Sequence, residues 1–312
     1  MTISRRRFLT ITAAACALPL STVATTHSWR GTALGARASI TLAGGDATML
    51  AGLTGDVEAE IARLESIFSL FKSDSALSRL NRAGRLITPP PEMLEVLSLA
   101  DAVHTHTEGG FDPTVQRLWR LYAEAAALDR APTAQERTEA RNCTGWHHVH
   151  FSPAEITMRR PGVELTLNGI AQGYIADRIA DLLRSQGLTD VLIDMGEISA
   201  LGHRSGLRAW HAGIASPSGE IVAEASLSDR ALATSAPMGT VLDPNGKIGH
   251  LIDPRTGLPG GTFGLVSVSD RRAAIADALS TAFCLLKRPQ IAKALENFPS
   301  ARLEYIGPPV DT

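Results

Sequence analysis

Two hydrophobic periods divide this chain, and the change near His147 limits the folds open to it. Before it, apolar residues recur at helical spacing. Leu53, Val57, Ile61, Leu64, Ile67 and Phe68 mark one face of a helix over residues 46–68. Pro89-Pro90-Pro91 opens a second helix through His104, and Gly109-Gly110 stops it. Pro113 to about Ala127 carries Val115, Leu118, Trp119 and Tyr122 on a third. Thr133, with Glu136 three residues on, starts a short fourth helix through Asn142. After His147 short strands dominate, at 149–151, 155–159, 163–167, 191–195, 210–214 and 221–227. Upstream, residues 29–42 read as one extended segment. Asp243-Pro244-Asn245-Gly246 is a tight turn pairing Val241–Leu242 with Ile248–Ile252. Two strong helices interrupt the strands, Ile170 to Gln186, ended by Gly187, and Arg271 to Leu286. The pattern is α+β, with an N-terminal helical subdomain on a sheet core. No Pro/Gly/Ser linker separates the halves, so they form one unit.

The first 24 residues stand apart. Ser4-Arg5-Arg6-Arg7-Phe8-Leu9 precedes an apolar run, Ile11 to Leu20, and small residues at Thr22-Val23-Ala24. A positive start, a short apolar stretch and a small-residue cleavage site make a secretory signal. Paired arginines before Phe-Leu point to the twin-arginine route, hence to the periplasm. The run is far short of the ~20 residues of a spanning helix. A lipoprotein reading through Cys16 is disfavoured, because Ala13-Ala14-Ala15 lacks the usual leucine. The expected division is a signal at 1–24 and one domain at 25–312. Net charge is −2 with Arg5, Arg6 and Arg7 counted, so the remainder is more acidic, which argues against nucleic acid as a partner. Cys143 and Cys284 form no disulfide framework; two buried thiols are expected, with one bridge as the alternative.

Four stretches carry candidate chemistry, each weak alone. In Leu167-Asn168-Gly169-Ile170-Ala171-Gln172-Gly173 a strand enters a glycine-rich helix start that Asn168 is placed to cap. Such a start favours an anion such as phosphate; alternatively, Gly169 and Gly173 merely permit close packing. Asp277 and Thr281, four apart on one helix face, offer a carboxylate and a hydroxyl to a hard cation such as Mg²⁺. In His250-Leu251-Ile252-Asp253-Pro254-Arg255-Thr256-Gly257 a strand ends in a turn, and His250 has a pKa suited to a general base. In Gly109-Gly110-Phe111-Asp112-Pro113-Thr114, Asp112 reads as a helix cap and Phe111 as a contact for a flat ring.

Together and in this order, the four stretches resemble the ApbE-type FAD:protein FMN transferases, also known as thiamine biosynthesis lipoproteins. Ala33-Leu34-Gly35-Ala36, residues 71–81 and Asp194-Met195-Gly196-Glu197-Ile198 add to the likeness, which spans nearly all of the chain beyond the signal. Trp29-Arg30-Gly31 with Ala33 to Ala36, behind a twin-arginine signal, is similar to a subgroup that accompanies periplasmic nitrous-oxide reductase systems.

The resemblance implies an ApbE-like, T-fold-like mixed sheet. It implies Mg²⁺-dependent cleavage of the FAD pyrophosphate, transfer of FMN to a Ser or Thr hydroxyl of a membrane-bound flavoprotein's periplasmic domain, and release of AMP. Carried over by position, Asp277, Thr281 and the Gly169 carbonyl hold the metal. Leu34, Gly110, Phe111, Asp112, Gln172 and Ile252 contact FAD. His250 helps deprotonate the acceptor hydroxyl, so His250 and Asp277 are the catalytic pair. Two positions depart from the family. Gln172 stands where many members carry Lys or Glu, and Glu197 stands where a second glycine is common after Gly196. The alternatives are an FAD-binding protein without transfer, which Gln172 favours, and an FAD pyrophosphatase with water in place of the acceptor.

Overall fold

The computed structural model describes residues 26–44, 47–204 and 208–309; the expected signal lies outside the described residues. Strands β1 (Thr26–Ala33) and β2 (Ala36–Ala43) form a hairpin rather than the single extended segment expected at 29–42. Ala33 pairs with Ala36, and Leu34 and Gly35 between them take positive φ angles of 47° and 81°. Positive φ at both positions matches the right-handed twist of the flanking strands. Helix α1 (Ala47–Phe68) follows the predicted face. Then come α2 (Ala76–Ala83), β3 (Arg85–Ile87) and α3 (Pro91–His106). A 3-10 turn at Pro113–Val115 leads into α4 (Gln116–Ala127), and α5 (Ala134–Asn142) starts at the Thr133/Glu136 capping box.

The second half contains β4 (Val149–Phe151), β5 (Glu155–Met158), α6 (Asn168–Ser185), β6 (Val191–Asp194) and β7 (Ile198–Leu201). Strands β8 (Trp210–Ala215), β9 (Ile221–Leu227), β10 (Arg230–Ser235), β11 (Ile252–Asp253), β12 (Leu258–Pro259) and β13 (Val266–Asp270) precede α7 (Ala273–Phe283), α8 (Arg288–Leu295) and β14 (Arg302–Ile306).

The main sheet runs β1-β2-β6-β7-β10-β13-β14 and is antiparallel at every pairing, where strands of mixed direction were expected. Alternation decides its two faces. Val191 and Ile193 of β6 join Ala231, Val266 and Val268 against α1, α3, α6 and α7. Leu192 of β6 joins Ile198, Ala200 and Leu232 against the β8–β9 hairpin, whose Trp210, Ile214 and Leu227 complete a second apolar layer. The early helices therefore cover one face of the sheet instead of forming a separate subdomain. Among the described residues α4 and α5 make a satellite, in which Leu118, Tyr122 and Ala140 pack with Ile252 of β11.

Three local expectations need correction. Residues 163–167 are not a strand. Asn81 Nδ2 donates to the Leu165 carbonyl and Asn81 Oδ1 accepts from the Leu165 N–H, each at 2.8 Å, so one side chain serves as the missing ladder. Asn168 does not cap α6: the helix starts from Leu167, whose carbonyl accepts from Ile170 and Ala171 N–H. Finally, Cys284 is buried but Cys143 is half-exposed, and both are free thiols.

Candidate active site

The glycine-rich stretch makes a close helix contact and a polar site together. A Cβ on Gly173 would fall 2.3 Å from the Ala273 carbonyl oxygen and 2.7 Å from the Ala274 nitrogen, so only glycine lets α6 touch the start of α7. Two polar contacts fix the approach. Asp177 accepts from Ala273 and Ala274 N–H at 2.6 and 3.1 Å, capping α7 from the neighbouring helix, since α7 has no side-chain cap of its own. Gly173 N–H donates to Asp277 Oδ2 at 3.3 Å. At the other end of the contact, Gly169 faces Thr281: a Cβ there would meet Thr281 Oγ1 at 3.1 Å. Gly169 also leaves helical geometry, with φ −89° and ψ 22°, which tilts its carbonyl away from the helix axis. The structure thus brings Gly169, Asp277 and Thr281 together.

These residues line a cavity of about 660 Å³, a size that suits a cofactor. Gly110, Phe111, Asp112, Gln172, His250 and Ile252 line it as well. Leu34 is not among its lining residues; it packs against the core at the β1–β2 turn, and its N–H donates to Glu65 Oε1 at 2.9 Å. The Asp112 carboxylate accepts from the Thr114 N–H and hydroxyl and from the Trp146 N–H, so its cap role holds while one edge faces the cavity. Gly110 sits close against its neighbours: a Cβ would meet the end of the Leu286 side chain at 2.9 Å and the Thr107 carbonyl oxygen at 3.1 Å.

His250 is held by its own segment. Its N–H donates to the Thr240 carbonyl at 3.0 Å, and its Nδ1 contacts the same oxygen at 3.2 Å. Of the hairpin expected across the Asp243–Gly246 turn only a single bridge forms, Val241 opposite Gly249 with Leu242 N–H donating to Ile248 O at 2.8 Å, and Ile252 pairs instead with Pro259. A carbonyl only accepts, so the Thr240 contact favours the tautomer with its proton on Nδ1, which leaves Nε2 as the nitrogen to take a further proton. Loss of solvent pushes the His250 pKa down, against the pull of the Thr240 and Pro237 carbonyls, which keeps the ring neutral and able to take a proton. Behind it, Gly257 at φ 74° closes the turn that Asp253 opens, and Arg255 ties that turn to the Leu285 carbonyl at 2.8 Å.

Asp277 is buried, and loss of solvent pushes its carboxyl up to about 8, with the Asp177 charge adding to the rise. Glu197, which sequence reasoning treated as a backbone anomaly, is also buried and lines the cavity. The positive φ of this turn, 96°, falls on Gly196, so Glu197 needs no special backbone freedom. Gly196 also makes room for Gln172, whose Nε2 lies 2.7 Å from where a Cβ would stand. Burial raises the Glu197 pKa well above the carboxylate range, and the Asp277 charge raises it further. Charge on the one carboxyl therefore opposes charge on the other. The sequence signal for Glu197 that went unused is an acid set beside the apolar stretch Ile198 to Leu201. Ser235 was missed altogether: its hydroxyl bridges Ser280 and Thr281 at 2.8 and 3.2 Å on the cavity wall.

The donor set fits a hard cation. Asp277 offers a buried carboxylate with no basic partner, Thr281 a hydroxyl and Gly169 a tilted carbonyl, all oxygen donors. Among the described residues no three His, Cys, Asp or Glu side chains converge, so the site is not one closed by charged ligands alone.

The ApbE family model matches residues 34–305. The chain belongs to the ApbE family. FAD:protein FMN transferase from Chlamydia muridarum is 30% identical over 242 residues, covering 73% of this chain and 74% of that relative. FAD:protein FMN transferase from Treponema pallidum is 30% identical over 270 residues, 78% of this chain and 74% of that one. Among solved structures, flavin transferase ApbE from Vibrio cholerae superposes with a TM-score of 0.77 at 26% identity, covering 91% of this chain and 98% of the other. The ApbE protein from Thermotoga maritima gives 0.78 at 26% identity, over 89% and 93%. The α+β fold is thus the ApbE fold.

Proposed function

We propose that this ApbE-family chain is an FAD:protein FMN transferase, moving FMN from FAD to a Ser or Thr hydroxyl of a partner protein and releasing AMP. The supporting observation is the meeting of Asp277, Thr281 and Gly169 on the cavity floor with a neutral His250 in its wall. Bound there, Mg²⁺ would supply Lewis-acid stabilisation of charge developing on the pyrophosphate oxygens. Asp277, Thr281 and the Gly169 carbonyl would hold it. Phe111 and Ile252 give apolar walls to the bound dinucleotide, and Gln172 gives a neutral polar contact. His250 Nε2 takes the proton of the acceptor hydroxyl as its oxygen attacks the FMN phosphorus; the bond from that phosphorus to the bridging oxygen breaks, and AMP carries the oxygen away.

The leader Arg5-Arg6-Arg7-Phe8-Leu9 supports export by the twin-arginine pathway, with residues 1–24 removed and the domain from 25 acting in the periplasm on a membrane-bound flavoprotein. Trp29-Arg30-Gly31 supports an acceptor that passes electrons to nitrous-oxide reduction.

The test mixes the purified protein with FAD, Mg²⁺ and a periplasmic acceptor domain, then reads flavin fluorescence on the acceptor in a denaturing gel. A fluorescent band is expected, and Asp277→Ala abolishes it. Normal FAD binding with no band on any acceptor refutes transfer and favours the binding-only reading that Gln172 raises. Free FMN and AMP without acceptor labelling would instead identify a pyrophosphatase.

A further inference from the structure

Most other acids of this protein that carry a side-chain contact lie beside an arginine or a backbone turn: Glu60 with Arg63, Glu95 with Arg272, Glu136 with Arg130, Asp253 with Arg255. The cavity floor breaks that pattern. Asp277 and Glu197 are 3% and 5% exposed, both face the cavity, and each stands without an arginine or lysine whose charge offsets it. The donors that reach them, Gly173 N–H and Thr234 N–H, are neutral. Two such carboxylates in one dry wall repel each other, and hydrogen bonds from neutral amides do not cancel two charges.

Glu197 is placed there by construction. Gly196 turns the chain at φ 96°, Met195 N–H donates to the Glu197 carbonyl at 3.0 Å, and β7 begins at Ile198, so the backbone is fixed at this point, where Glu197 lines the cavity within reach of the Asp277 charge. Thr281, one turn beyond Asp277, and Ser235, whose hydroxyl bonds to it, add neutral oxygens beside the pair.

We propose that Glu197 is a second charged ligand of the cation site, so that this protein holds its divalent cation before FAD arrives. The inference rests on the metal reading of Asp277 and Thr281 given above. One carboxylate alone leaves half of a divalent charge for the substrate pyrophosphate to balance. Two carboxylates balance it within the protein, and ligand charge count is a main determinant of affinity for hard cations. The cation then serves as a fixed part of the FAD site rather than entering with the nucleotide.

The test measures Mn²⁺ binding, as a paramagnetic stand-in for Mg²⁺, by electron paramagnetic resonance on the purified protein with and without FAD. Wild-type protein is expected to bind Mn²⁺ without FAD, and Mg²⁺ to compete. Glu197→Gln, which keeps the shape, should weaken FAD-free binding by ~10–100-fold, the loss typical of disturbing a ligand shell. The same variant should recover binding when FAD is added. Glu197→Gly tests whether the loss follows the charge and not the glutamine amide; circular dichroism confirms that both variants fold. Unchanged FAD-free Mn²⁺ affinity in both folded variants overturns the proposal and leaves the transferase reading standing. Wild-type protein that binds Mn²⁺ only with FAD also overturns it. Absence of Mn²⁺ binding even with FAD would refute the metal reading itself.

Discussion

Replacing Gly173 by alanine sets two physical effects of opposite sign against each other. On helix propensity alone, Gly→Ala inside α6 stabilises by about 1 kcal/mol. The structure predicts the reverse. The added Cβ would lie 2.3, 2.5 and 2.7 Å from the Ala273 oxygen, the Ala273 carbon and the Ala274 nitrogen. All three are backbone atoms, so no side chain can swing aside. Reaching ordinary contact needs the helices to part by roughly 1 Å, and overpacking of that kind costs ~1–3 kcal/mol. Parting them also lengthens the Asp177 bonds to Ala273 and Ala274 and the Gly173 bond to Asp277. Losing such bonds adds about 1 kcal/mol each. The net expectation is a loss of about 1–4 kcal/mol, or a Tm fall of roughly 3–10 °C at the sensitivity of a domain this size. Thermal denaturation followed by circular dichroism measures it. Divalent-cation affinity should fall in the same variant, because α7 carries Asp277 and Thr281 while α6 carries Gly169. An alanine variant as stable as the parent, or more so, would refute the claim that this contact builds the site.

Other outcomes follow from the same geometry. The folded, metal-free protein holds a proton on Asp277 that the unfolded chain releases near its ordinary value of 3.8, because burial pushes this carboxyl up to about 8. Its contribution to stability is therefore full below about pH 4 and is lost as pH rises toward 8. Asp177, pushed up to about 7 by burial, acts in the same direction. Melting curves from pH 5 to 8 should show Tm falling with pH, less steeply in Asp277→Asn, and with Mg²⁺ restoring stability most at the alkaline end. His250→Ala should slow transfer by ~10²–10⁴-fold, the range for a general base, with FAD binding retained in a fluorescence titration. Because burial lowers the His250 pKa, the wild-type rate at saturating Mg²⁺, which keeps Asp277 ionised, should hold from pH 8 down to about 6.5 and fall only in more acid solution. Asn81→Ala should cost roughly 1–3 kcal/mol in urea denaturation, since it strands the buried Leu165 N–H and carbonyl.

Much of the site was legible because its members lie in compact local patterns. Asp277 and Thr281 share a helix face, Gly110 to Asp112 precede a proline-started helix, and Gly169 and Gly173 crowd one helix start. The two readings of those glycines prove to be one. Close packing of α6 on α7 is the reason the carboxylate, the hydroxyl and the carbonyl meet. Leu34 was not legible in this sense: it lies in a hairpin turn that the apolar pattern of residues 29–42 does not mark. Strands β10, β13 and β14 escaped because each is only five or six residues long, too short for an alternation such as Val-Ser-Val-Ser in β13 to stand out from its surroundings.

The sequence by itself determined the α+β class, the positions of the long helices, and part of the cavity lining: Gly110 to Asp112, Gly169, Gln172, His250, Ile252, Asp277 and Thr281. Helical period, proline and glycine act over a few residues and need no partner to be read. Only the tertiary structure decided that the sheet is antiparallel throughout, that Asn81 takes the place of a strand for Leu165, that Asp177 caps a helix about a hundred residues away, and that Glu197 faces Asp277. Each of these depends on which segments meet. Such meetings are set by burial of apolar faces across the whole chain, a quantity no local window of sequence contains.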